Sequence, residues 1–183
     1  MSGARGDGLV EVGAGDLTVV VGAAVPTSLS LYKRHAELAE DFAGARTDGF
    51  SFVAVRDVGD WPRLVVTQRY SPAESGFTPG VLLVPKRRQV FVGAGTRLLA
   101  YEAREGTWRR QWEDTAEGGF WQWRRHKNTV LMSAELELAA WTSDGGKLWS
   151  TFVEPPWSYR VDGSTVTLDV MGSVRRLALR TGR

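Results

Sequence analysis

Residues 80–182 repeat themselves. Val90, Val130 and Val166 open corresponding segments, and Gly106, Gly146 and Gly182 close corresponding turns, at offsets of 40 and then 36 residues in both sets. Self-similarity at a fixed period is the mark of an array of supersecondary units, each unable to bury its apolar face alone. A unit of this length holds about four short strands with their turns. The copies run 80–116, 117–155 and 156–183. At the first offset Trp108 and Trp112 fall on Leu148 and Phe152.

The segments between the turns read as strands. Copy one has them at residues 81–84, 89–92, 96–102 and 108–112. Copy two has them at 120–124, 130–134, 136–141 and 148–152. Copy three has them at 157–161, 165–170 and 174–179, with Asp162-Gly163 as a hairpin signal. Residues 134–140 are good helix formers, but Leu136, Leu138 and Ala140 alternate and the register assigns a strand. The core is expected to contain Val90, Trp112, Val130, Leu148, Phe152 and Leu168. Upstream the register does not repeat. Residues 1–15 are polar and Gly-rich and read as a flexible tail. Residues 17–21 read as a strand. Leu31, His35, Leu38 and Phe42 recur at helical spacing, which predicts one helix over 29–43 with Gly44 as its stop. Residues 50–56 and 63–70 read as strands around a turn at Val58-Gly-Asp60, and 71–80 as a loop with two Pro and two Gly.

The segments Leu99-Ala-Tyr-Glu-Ala-Arg-Glu-Gly106, Ala139-Ala-Trp-Thr-Ser-Asp-Gly-Gly146 and Leu177-Ala-Leu-Arg-Thr-Gly182 resemble the blade signature of quinoprotein-type (PQQ-like) β-propellers. That signature has an Ala and an acid in the third strand, a Thr-Gly turn and a Trp in the fourth. The acid position holds Glu102, Thr142 and Ala178 in turn. The resemblance implies blade-like four-stranded units and carries over no cofactor. The expected fold is mainly β: an antiparallel up-and-down meander in blade-like repeats, folded over on itself, with one short N-terminal helix. The alternative is a small four-bladed propeller. Residues 16–183 form a single domain in either form.

The 183-residue chain has no Cys, which excludes disulfides, thiolate catalysis and Cys-ligated metals. Two His and a net charge of +2 give little support for a His-rich metal site or nucleic-acid binding. The longest apolar run, residues 17–25, is well short of the ~20 residues that span a bilayer, and the N-terminus lacks the parts of a signal peptide. A cytoplasmic location is expected. Eight Trp against three Met point to cores and interfaces.

Phe120-Trp-Gln-Trp-Arg-Arg-His-Lys127 interleaves aromatics with cations, and Val153-Glu-Pro-Pro-Trp-Ser-Tyr159 sets a carboxylate and two aromatics around a diproline bend. The candidate binding residues are Trp121, Trp123, Arg125, His126, Glu154, Trp157 and Tyr159, with Trp157 and Arg125 as an exposed hot spot. Glu135, Glu137 and Asp169 are acids within β segments, and the first two, being two apart, are expected on the same face of a strand. Ser133 and Ser143 carry no nucleophile motif, and Gly93-Ala-Gly95 lacks the third Gly of a phosphate loop. The first expectation is therefore a non-catalytic module that binds a protein partner, by analogy with immunity proteins, antitoxins or accessory subunits. The second is a small-molecule or carbohydrate site on Trp121, Trp123, Trp157 and Tyr159. The third is an enzyme using paired carboxylates. No cofactor and no metal site is assigned.

Overall fold

A computed structural model describes residues 8–43, 49–57, 59–71 and 78–183. Sixteen strands among them form four sheets placed one after another. Sheet I is ordered β1-β2-β4-β5-β3, from β1 (Val10–Ala14), β2 (Leu17–Gly22), β3 (Leu38–Phe42), β4 (Gly49–Arg56) and β5 (Leu64–Tyr70). Sheets II and III are four-stranded meanders. The former contains β6 (Gly80–Val84), β7 (Gln89–Ala94), β8 (Arg97–Arg104) and β9 (Thr107–Thr115). The latter contains β10 (Phe120–His126), β11 (Thr129–Ala134), β12 (Glu137–Thr142) and β13 (Lys147–Phe152). Sheet IV has three strands, β14 (Trp157–Asp162), β15 (Thr165–Val170) and β16 (Ser173–Ala178). All neighbours are antiparallel except β3, which runs parallel to β5. The expected β-rich meander in blade-like units is the fold observed.

Each sheet buries apolar side chains against the next, because a strand presents alternate residues to its two faces. Leu17, Val53 and Leu64 of sheet I meet Val90, Leu99 and Tyr101 of sheet II. On its other face, sheet II sets Phe91 and Leu98 against Trp123, Val130, Met132 and Trp141 of sheet III. Leu131, Leu138 and Ala140 then meet Trp157, Val166 and Leu168 of sheet IV. Among the described residues no buried cluster joins sheet IV to sheet I, so the stack is an open one. Its two ends differ. The outer face of sheet I is covered by the helix α1 (Leu29–His35), whose Tyr32 stacks on Phe52 at 5.8 Å. The outer face of sheet IV carries Arg160, Asp162, Thr165, Thr167 and Arg176 around a polar hollow.

The three opening valines are equivalent, since Val90, Val130 and Val166 lie opposite Tyr101, Trp141 and Leu177. All three are fully buried, as is Leu168. The fourth strands fall out of step with the sequence offset. Trp112 lies opposite Ala100 and Trp149 lies opposite Ala140, so Trp112 corresponds to Trp149 and not to Phe152. The bulges at Ala100/Tyr101 and Ala140/Trp141 are equivalent and cancel; the difference arises in the hairpins, since β8 and β9 pair on to Arg104 and Thr107 whereas β12 and β13 pair only to Trp141 and Lys147. A slip by an odd number of residues turns each side chain to the opposite face of the sheet. Phe152 is consequently 58% exposed, against the expectation that it is buried. Trp112 and Leu148 are half-buried against the cores.

Two upstream expectations are corrected. The helix stops at His35, where Ala36 adopts an extended ψ of 142°, and Leu38–Phe42 is a strand. Leu38 and Phe42 turn toward sheet II by period two along the strand, a spacing that a helix also satisfies. The tail boundary moves as well, because β1 pairs with β2 along its whole length. Residues 134–140 are not helical, as the repeat register requires. Residues 1–7, Gly44, Val58 and residues 72–77 of the expected loop lie outside the described residues. No described helix is long and apolar enough to cross a membrane.

Candidate functional site

The turns β10–β11, β12–β13 and β14–β15 and the segment after β16 all lie at one end of sheets III and IV. There they enclose a cavity of about 370 Å³, which Arg87 of the Pro85–Arg87 3-10 turn joins from sheet II. Its walls include Arg87, His126, Lys127, Ser143, Asp144 and Arg180. A volume of this order suits a small ligand.

The walls are held by backbone bonds. Ser143 donates its N–H to Asn128 O at 2.9 Å, which ties the turn of β12–β13 to that of β10–β11. Within that turn Thr142 N–H reaches Gly146 O at 2.7 Å, Gly146 N–H returns to Thr142 Oγ1 at 2.9 Å, and the Thr142 hydroxyl bonds the Asp144 carboxylate. Sheet II clamps the turn from outside. Gln111 Nε2 donates to Asp144 O at 2.8 Å and Trp112 Nε1 to Gly145 O at 2.7 Å. His126 Nε2 lies 3.0 Å from Gly163 O. A carbonyl only accepts, so Nε2 carries the hydrogen and Nδ1 faces away from that bond.

Six arginines away from this cavity are neutralised. Arg56, Arg63, Arg88, Arg97, Arg109 and Arg110 all pair with carboxylates. The Asp57 side chain, only 2% exposed, bridges Arg63 and Arg88 and so links sheet I to sheet II. By contrast, Arg87, Lys127 and Arg180 are exposed at the cavity rim and have no ion-pair partner among the described residues. Arg125 lies on the same turn, its Nε donating to Lys127 O at 2.8 Å. The acid in the cavity wall, Asp144, already accepts from Thr142. Ser143 is 4% exposed and its hydroxyl has no partner.

The residues singled out in the sequence divide into two groups. Arg125 and His126 sit at this turn face. Trp123 lies in the core between sheets II and III, its ring edge-on to Trp141 at 5.5 Å. Trp157 is 9% exposed, stacks on Trp121 at 5.1 Å and donates its indole N–H to Glu135 O at 3.0 Å. Tyr159 continues the stack at 6.1 Å, with the Arg124 guanidinium over its ring, and burial raises its hydroxyl pKa. Trp157 is thus packing between sheets III and IV, which corrects the expectation of an exposed hot spot there. Glu154 is exposed before a cis Pro155–Pro156 bond. It follows the end of β13, at the end of the sheets opposite His126. The acids do not converge either. Glu135 is exposed in the β11–β12 turn. Glu137 is 5% exposed and accepts Glu117 N–H at 3.2 Å, and Asp169 accepts Gly172 N–H at 2.8 Å. Arg87 and Arg180 were not singled out, because nothing in their local sequence marks them, and Ser143 was weighed only as a nucleophile and set aside.

No protein-family model and no curated protein matches the sequence. Solved structures do match over part of the chain. One is a europium-containing methanol dehydrogenase, 14% identical, with a TM-score of 0.40 over 60% of this chain and 24% of that one. Another is "KlHsv2 with loop 6CD replaced by a Gly-Ser linker", 8% identical, with a TM-score of 0.31 over 55% of this chain and 34% of that one. The chain therefore spans about a quarter and a third of these structures. Both likenesses are partial, and neither assigns this chain a cofactor or an activity.

Proposed function

We propose that this chain is a non-catalytic, blade-built interaction module that docks an acidic surface of a protein partner on the turn face of sheets III and IV. The observation that carries the reading is the gathering of Arg87, Arg125, Lys127 and Arg180 around one hollow at one end of the stack, without carboxylate partners among the described residues. Unpaired cations on a face steer an acidic partner and fix its register. The aromatic platform that a nucleic-acid base or a sugar would stack on is committed elsewhere, since Trp121, Trp157 and Tyr159 stack on one another. A quinoprotein-type origin of the blades and a cytoplasmic location belong to the same reading. Both rest on the sequence signature and on the absence of Cys.

The test is capture from an extract of the cells that make the protein, with the parent chain and with Arg125→Glu combined with Lys127→Glu. Both side chains are exposed, so the fold should hold. A partner bound by the parent and weakened at least about tenfold by the double reversal supports the reading, since like charges across an interface are costly. A partner held equally well by both overturns it.

A second reading, a small-ligand site, is favoured by one observation, the cavity itself.

A further inference from the structure

We infer that the cavity between the turns of sheets III and IV is a binding site for a phosphate monoester. The inference deepens the reading of this face as a docking surface, and the two fail separately, because the cavity can be filled without a protein partner.

Three features of the cavity point to this chemistry. The first is charge. Arg87 comes from the β6–β7 turn, Lys127 from β10–β11 and Arg180 from the segment after β16, so three turns on three sheets bring cations to one hollow. None has an ion-pair partner among the described residues. A planar guanidinium fork and an ammonium are the side chains that recognise a tetrahedral dianion. The second is the Ser143 hydroxyl. Ser143 lines the cavity, and its hydroxyl lies just behind that wall, closed to solvent and without a partner. A buried polar group left unsatisfied in a native fold calls for a ligand or water to satisfy it. Rotation about χ1 turns such a hydroxyl outward, where a phosphate oxygen accepts from it. The third is rigidity. The turn bearing Ser143 is fixed by Asn128, Gln111 and Trp112, so little ordering is lost on binding. Asp144 is the one acid in the wall. Its carboxylate is engaged by Thr142, and it disfavours a fully charged polyphosphate more than a single phosphate group.

The phosphate could arrive on a free metabolite or on a phosphorylated side chain of a partner. The chemistry recognised is the same, and two arms of one experiment distinguish the sources. The full chain, labelled with nitrogen-15, is titrated with inorganic phosphate, glycerol 3-phosphate and a short phosphoserine peptide at constant ionic strength. Sodium chloride and the unphosphorylated peptide serve as controls. Saturable shifts at the amides of Asn128, Ser143, Asp144 and Ser164 are expected from all three phosphates and from neither control. Arg87→Gln with Lys127→Gln should weaken binding by about tenfold or more, the usual loss for charge-assisted contacts. Ser143→Ala should weaken it several-fold while leaving the melting temperature unchanged or higher, because it removes a buried hydroxyl that has no partner. A merely structural serine would instead lower the melting temperature. A peptide bound tightest assigns the site to a modified partner, and glycerol 3-phosphate bound tightest assigns it to a free ester. The inference is overturned if shifts do not saturate, if they spread over the surface like a salt effect, if the Gln variants bind as the parent does, or if a single-stranded oligonucleotide outcompetes every monoester.

Discussion

Gly145 holds the floor of the cavity turn, and replacing it should cost far more than replacing the turn glycine Gly163 on the other side of the cavity. Gly145 has φ +92°, and an added Cβ would stand 1.8 Å from Gln111 Oε1. The backbone term alone is about 1–2 kcal/mol for an L residue in that region. Gln111 must also swing aside. It then loses its bond to Asp144 O, about 1 kcal/mol, and abandons the Nε2 of Gln89, which it accepts at 2.9 Å. Gln89 is 1% exposed, so its amide becomes an orphan donor at about 1–3 kcal/mol. Gly145→Ala should therefore destabilise by roughly 3–6 kcal/mol on this sum. Gly163 has φ +57° and open space around it, so Gly163→Ala should cost only the backbone term, about 1–2 kcal/mol. Urea unfolding followed by Trp fluorescence measures both. Equal losses would refute the reasoning, because they would mean that Gln111 is not clamped where the turn requires it.

Two further outcomes follow from burial. Phe152→Ala should cost less than about 1 kcal/mol, as surface substitutions do, whereas Trp141→Ala, fully buried between sheets II and III, should cost about 3–5 kcal/mol; thermal melts of the two compare them directly. Burial pushes the Glu137 carboxyl above its ordinary value, although Glu117 N–H favours the ion. The folded chain therefore binds that proton more tightly than the unfolded one. The cost is absent below 4.5 and is incurred as pH rises through the raised folded value. Glu137→Gln should accordingly be more stable than the parent at neutral pH and lose that advantage in acid, in denaturant curves taken across pH; a gain that is constant with pH would contradict it.

The strand pattern could be read from the sequence because burial on one face writes a period of two into each strand. Val90, Val130 and Val166 kept that pattern through three sheets. The fourth strands could not be read by offset, because one hairpin pairs further than the other before it turns, and the sequence counts residues, not ladder positions. Trp112 and Trp149 nevertheless share a role that a Trp alone suggests: each donates its indole N–H to a turn carbonyl of the next sheet, Gly145 O and Leu179 O. β3 was hidden for a different reason. Leu38 and Phe42 satisfy helical spacing, and pairing with β5 decides for a strand, a tertiary choice that overrides propensity. The Phe42 ring then lies under Arg97 and Arg110 of sheet II at 4.9 and 5.4 Å. The cavity was the least legible part. Its walls come from turns separated by dozens of residues, and of its main groups the sequence marked only His126 and Lys127, as the end of a cationic run. The aromatic half of that same segment went into the cores, because Trp in a strand between two sheets buries more surface there than in water.

The central claim is that the turn face of sheets III and IV is where this module meets its partner. Amide hydrogen exchange of the full chain, alone and with the captured partner, reads that face directly. The account predicts added protection in peptides covering residues 125–129, 142–146 and 163–165, with little change on the outer face of sheet IV around Arg160 and Arg176. Protection centred on that outer face, or on α1 and Trp61 at the other end of the stack, would contradict it.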